Sequence, residues 1–176
     1  MSTLDGLTPG TWNIDPAHSA LGFQVRHMMV SKVRGKFDEF DATLTVGDTL
    51  ETTSVNAEVQ MASINTGVAD RDNHLRTNDF FEVETHPTMT FKSTKVTETE
   101  LTGDLTIKNV TKPVTFDVDF GGVGPDPYGN TRAGFEATVE INRKEFGVDI
   151  EMPLQGGGVV VGDKVKITLD LEFVKA

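Results

Sequence analysis

Apolar side chains recur at every second position along most of this chain, a period that puts one face of a strand into a core and the other into water. Leu21, Phe23, Val25, His27 and Met29 share one face, with Gln24 and Arg26 on the other. Val33, Gly35 and Phe37 keep the odd phase, but Phe40, Ala42, Leu44 and Val46 are even, so the register changes at Asp38-Glu39. That change predicts a bulge or bend, which a long curved strand needs to close a sheet. Val55, Ala57, Val59 and Met61 alternate next, followed by Met89 and Phe91 behind Pro87, a residue tolerated at a strand start or edge. Leu101, Gly103, Leu105 and Ile107 oppose Val114, Phe116, Val118 and Phe120 across a turn at 108–113, the clearest hairpin in the chain. Beyond a Gly/Pro-rich loop at 121–130 come Ala133, Phe135, Ala137, Val139 and Ile141, and the last set is Val165, Ile167, Leu169, Leu171 and Phe173.

Clean alternation means one dry and one wet face, the mark of antiparallel sheet. About eight such strands, counting one at Trp12–Ile14, predict an all-β domain, either an up-and-down barrel or a two-sheet sandwich. One segment breaks the pattern. Asn65-Thr66 is placed to cap a short helix over 67–76, with Val68 and Leu75 on one face, and Asp79 to cap a further turn holding Phe80 and Phe81. A helix there, ending in an aromatic pair, covers one barrel mouth.

Charge and cysteine usage then remove whole classes of function. With 16 Lys plus Arg against 27 Asp plus Glu, the net charge is −11, and no basic cluster in the sequence resembles a nucleic-acid footprint. The same balance argues against lasting adsorption to an anionic membrane, and no apolar run reaches the length of a span. The absence of cysteine excludes a thiolate nucleophile and cysteine-ligated metal. The first ten residues have neither a basic nor an apolar signal region, so a cytoplasmic location is expected, or an exported one if the chain is a processed form.

Candidates for chemistry are few. His18, His27, His74 and His86 show no zinc spacing; Asp70 and His74 share a helix face, but Asp-Arg-Asp-Asn-His reads first as a solvated helix surface, and no metal site is expected. His27 falls on an apolar face, where two readings stand equal: a core histidine bonded to a neighbour, or a polar anchor in a ligand cavity. General acid/base catalysis by His27 on a hydrophobic small molecule ranks below both, because no partner stands at a fixed spacing. Arg71 contacts an anionic head group if its helix lies at the mouth; otherwise it is exposed or paired with an acid. Gly156-Gly-Gly158 opens no helix and reads as a flexible turn rather than a phosphate cradle. Eleven phenylalanines against one tyrosine and one tryptophan either fill the barrel or line an elongated cavity, and both place them on the same face. A completely packed structural or partner-binding barrel is therefore a third reading.

Taken in order, the segments 12–19 (Trp-Asn-Ile-Asp-Pro-Ala-His-Ser), 23–27 (Phe-Gln-Val-Arg-His), Gly35-Lys-Phe37, 71–75 with Phe80-Phe81, 86–93, 103–114, Ala133-Gly-Phe135 and 141–148 resemble the YceI-like family of polyisoprenoid-binding proteins. The resemblance implies a lipocalin-like, eight-stranded antiparallel barrel with one short α-helix inserted between strands, residues 10–176 forming the domain and 1–9 an N-terminal extension. It implies no cofactor beyond a bound isoprenoid lipid, a polyprenyl phosphate or isoprenoid quinone, carried, stored or sequestered in the bore without catalysis. Inward residues on the matching segments form the candidate ligand set. From the first half these are Phe23, Val25, His27, Met29, Phe37, Arg71, Leu75 and Phe80; from the second, Phe91, Leu105, Phe116, Phe135, Val139 and Leu169. A homodimer is a further expectation, although the polar outer faces offer no patch that demands one.

Overall fold

The computed structural model describes residues 4–27, 31–78, 80–148 and 161–176, without the side chains of His27 and Val161. Met29, the Asp79 cap and the Gly156–158 run lie outside the described residues. The strands are β1 (Gly10–Ile14), β2 (Ala20–His27), β3 (Ser31–Phe37), β4 (Phe40–Val46), β5 (Ser54–Gln60), β6 (Ile64–Asn65), β7 (Thr88–Val96), β8 (Glu100–Ile107), β9 (Val110–Pro125), β10 (Thr131–Asn142) and β11 (Val161–Lys175), with helix α1 at Ala69–Leu75.

These pieces make eight long staves, because three staves are each broken once. Pro16, which cannot donate to a ladder, starts the turn between β1 and β2, and the Asp15 side chain caps that turn by accepting from the Ala17 N–H. β3 and β4 part at Asp38-Glu39, where the alternation changes phase, and the Met61–Ser63 turn separates β5 from β6. All pairings are antiparallel, and β11 closes the sheet: β10 runs along one side, while β2 and then β1 share the other. A closed eight-stranded antiparallel barrel with one helix results, wide enough inside for side chains or one small ligand. No helix among the described residues is long and apolar enough to cross a membrane.

Two local expectations change. The β8–β9 hairpin is tighter than 108–113: Ile107 pairs with Val110, and Lys108 and Asn109 both have positive φ, 52° and 64°. That two-residue turn follows the twist of its strands, and asparagine accepts the left-handed backbone better than most residues. Helix α1 is shorter than 67–76 and begins from Val68, which is 48% exposed, so Val68 and Leu75 do not share a buried face. Asn65 and Thr66 still organise the entry: Asn65 Oδ1 accepts from the Gly67 N–H, and the Asp72 carboxylate accepts from the Thr66 N–H and hydroxyl.

The core has two parts. One gathers Leu7, Trp12, Ile14, Leu44, Val46, Ala133 and Phe173; the other gathers Phe37, Val59, Met61, Ile64, Phe80, Met89, Leu105, Ile107, Phe146 and Val148. The stretch before β1 lies against the first of these. Leu7 is buried, the Trp12 indole N–H donates to the Thr8 carbonyl at 3.0 Å, and the Lys175 ammonium sits 5.9 Å from the Trp12 ring.

Candidate functional site

A cavity of about 190 Å³ occupies the barrel interior, walled by the inward residues of nearly every stave together with Leu75, Phe80 and Phe81 from α1 and the turn behind it. No polar atom of the described residues faces the empty space. An apolar void of about 150 Å³ stays dry and takes up benzene, so this one is suited to hydrocarbon rather than water.

Two aromatic pairs shape the wall. Phe23 and Phe37 stand 5.6 Å apart with tilted rings, and Phe91 meets Phe116 edge-on at 5.5 Å, a geometry favoured by the ring quadrupoles. Each pair depends on a glycine. Gly35 is the cross-strand partner of Phe23, and a Cβ there would lie 2.4 Å from the Phe23 Cζ. A Cβ on Gly103 would lie 2.4 Å from the Phe91 Cζ and 2.5 Å from the Lys92 carbonyl oxygen. Inward-phase glycines thus let phenylalanine rings lie flat on the wall, and the void survives between them.

Of the candidate ligand residues, Phe23, Val25, Phe37, Leu75 and Phe80 line the cavity, as do Phe91, Leu105, Phe116 and Leu169. Three others do not. Phe135 follows a register shift at Gly134/Phe135 and packs 5.2 Å from Phe120 and 6.0 Å from Phe173, at the Trp12 end of the barrel. Val139 is half-buried beside Ile167 but stops short of the void. Arg71 turns back on its own loop, donating from Nε to the Thr66 hydroxyl and from Nη2 to the Thr66 carbonyl, both at 2.7 Å. The His27 side chain and Met29 lie outside the described residues.

Strand alternation did not single out Arg143. This arginine is 6% exposed, follows β10 in a short turn and contributes to the cavity wall. Its guanidinium donates to the Gly162 carbonyl at 2.9 Å and the Val148 carbonyl at 2.7 Å, tying the turn after β10 to the start of β11. A buried cation needs such acceptors, and the available signal was its position two residues after Ile141, in the inward phase that β10 keeps from Ala133 onward.

Residues 12–173 match the YceI-like domain. The chain belongs to that family. It is 42% identical over 165 residues to a UPF0312 protein of Staphylococcus epidermidis, an alignment covering 92% of this chain and 96% of the relative. Among solved structures, BcnA of Burkholderia cenocepacia superposes with a TM-score of 0.78 at 23% identity, covering 90% of this chain and 98% of that one. A polyisoprenoid-binding domain from Saccharophagus degradans gives 0.67 at 13% identity, covering 94% and 98%. Both share the fold of this YceI-like barrel.

A second polar feature lies away from the void. Asp15, His18 and Glu172 bring potential metal-ligand atoms within 4.8 Å of one another. Arg132 already answers that negative charge, reaching Asp15 at 2.6 Å, Asp126 at 2.7 Å and Glu172 at 3.0 Å. The Arg132 guanidinium and then His18 hold the Asp15 carboxyl down at about 2, while Arg132 and then the Asn130 N–H do the same for Asp126, also about 2. Arg132 itself is raised by the same partners. The cluster clamps the β1–β2 bend and the β9–β10 loop onto β11.

Proposed function

We propose that this protein binds the hydrocarbon chain of an isoprenoid lipid, a polyprenyl phosphate or an isoprenoid quinone, inside the barrel, as a carrier, store or sequestering protein rather than an enzyme. The observation that carries this reading is a void lined by two phenylalanine pairs onto which no polar atom of the described residues opens. Membership of a family with a polyisoprenoid-binding structural relative supports it. Burial of hydrocarbon contributes about 0.8 kcal/mol per CH₂, hence roughly 3–4 kcal/mol for each five-carbon unit taken in. With no polar atom of the described residues on the void, selection acts on the chain, and the head group stays outside it.

The volume sets a condition on binding. Drug-sized ligands occupy pockets of about 300–1,000 Å³, so a long chain enters this cavity of about 190 Å³ only as side chains move aside. Phe23 is the first candidate, because its ring lies over Gly35 and is only partly buried. The lining residues described include no histidine and no paired acid and base, which favours binding over turnover.

Organic extraction of the purified protein followed by mass spectrometry, with titration of added isoprenoid quinone, tests the reading. The expected result is a prenyl lipid bound one to one, lost in Leu105→Trp, which fills the void from β8. A protein that carries no lipid and binds neither quinone nor polyprenyl phosphate overturns it.

A further inference from the structure

The outside of the cavity wall carries a concentration of positive charge that net charge conceals. Arg26 on β2, Lys32, Arg34 and Lys36 on β3, and Lys164 and Lys166 on β11 occupy outward positions of three adjacent strands, and all six are exposed. The register sets Arg26 beside Lys32, and Gln24 between Arg34 and Lys166. Among the described residues no acid occupies the outward positions between them; Asp38, 3.4 Å from Lys36, and Glu140, 3.7 Å from Lys164 and the cross-strand partner of Lys166, stand at the rim. The chain's other 10 cations stand against 27 acids in the sequence as a whole.

We infer that this face docks, transiently and in one orientation, onto the surface of an anionic lipid bilayer. Edge protection accounts for part of the charge, since residues 31–35 of β3 have no second strand partner among the described residues and charged side chains deter edge pairing. It does not reach Arg26, Lys164 and Lys166, which lie on interior strands. The inward residues of the same strands, Phe23, Val25 and Phe37, line the cavity, so docking sets the cavity wall against a lipid source. Choosing a bilayer over another polyanion rests on the proposed lipid cargo. The acidic remainder of the molecule is repelled by the same surface, which keeps contact brief and fixes its orientation.

Co-sedimentation with phosphatidylcholine vesicles, with and without about a third phosphatidylserine, reads docking directly, and vesicles free of isoprenoid keep the result independent of cargo. Expected is binding to the phosphatidylserine vesicles in about 0.05 M salt, abolished in about 0.5 M salt. Each cation contributes roughly fivefold to partitioning, so Lys32→Gln/Arg34→Gln/Lys166→Gln lowers it by about 100-fold, and the corresponding Glu triple by more. The control Lys92→Gln/Lys95→Gln/Lys112→Gln, with the same charge change on exposed positions of β7 and β9, leaves binding intact. Absence of binding, equal binding without phosphatidylserine, equal loss in the control, or tighter binding to duplex DNA at the same salt overturns the proposal. Quinone titration of the patch variants in vesicle-free buffer is expected to match wild type; failure there bears on the lipid reading alone.

Discussion

The two halves of the barrel interior use the same strands for different ends. At the Trp12 end, small and large side chains interlock: Trp12 is 0% exposed, Ala133 1% and Phe173 2%. Toward α1, phenylalanines pair with one another on the wall of the void, several of them only half-buried, and the void reaches Ile14, Ala42 and Phe173 at the edge of the first cluster. The difference shows in composition, since the small residues Ala42 and Ala133 cluster with Trp12 in the first half, whereas the second sets the Phe23 and Phe91 rings against Gly35 and Gly103. A barrel built this way is packed at one end and keeps open space toward the other.

The sharpest way to break that division is to empty the packed end. Trp12→Ala is expected to cost about 3–5 kcal/mol, the range for deleting a fully buried large aromatic. Phe23→Ala in the hollow end is expected to cost about 2 kcal/mol, because less of its surface is buried, and to widen the cavity. Urea denaturation of both variants checks the ranking, and equal losses would mean that the hollow half stabilises the fold as much as the packed one.

The sequence showed the staves more readily than the void. Period-two alternation marks the strands and the break at Asp38-Glu39 because each stave has one wet face, and the phase change is visible as soon as Phe37 and Phe40 are compared. Whether inward phenylalanines fill or line the interior depends on ring orientation. Phe135 illustrates the limit: a register shift at its own position and two neighbouring rings from β9 and β11 decide its place, and neither can be seen from β10 alone. At Arg71 the reason is local, since two hydrogen bonds to Thr66 hold its guanidinium against its own loop. Arg143 was hidden among the charged residues of its turn, because the acceptors that allow its burial are the backbone carbonyls of Val148 and of Gly162 on β11.

Within the hollow half, the two glycines sharpen the comparison further. At Gly35 the close neighbours of an added Cβ are all atoms of the Phe23 ring, which has room to swing toward the cavity. At Gly103 they include the Lys92 carbonyl oxygen at 2.5 Å and the Ser93 Cα at 2.8 Å, beside a register shift in β7. Gly103→Ala is therefore expected at the upper end of the roughly 1–3 kcal/mol cost of overpacking, and Gly35→Ala at the lower end. Thermal unfolding measures the first difference. Quinone titration measures the second: Gly35→Ala, with Phe23 pushed inward, binds more weakly although it folds well.

The smallest expected effect concerns the clamp outside the packed end. Asp15 and Asp126 have carboxyls lowered from the ordinary 3.8 to about 2, chiefly by hydrogen bonds from Arg132. A lowered folded-state pKa adds stability above the unfolded value, and that contribution fades as pH falls from about 4 through about 2. Arg132→Met returns both carboxyls toward 3.8, so the variant is less stable than wild type at pH 7 and the gap narrows on acidification. Trp12, the one tryptophan, sits on the clamped side, and its fluorescence follows unfolding there. A gap between the two proteins that stays constant from pH 7 to below pH 3 would mean that the clamp acts through packing of the Arg132 stem rather than through charge.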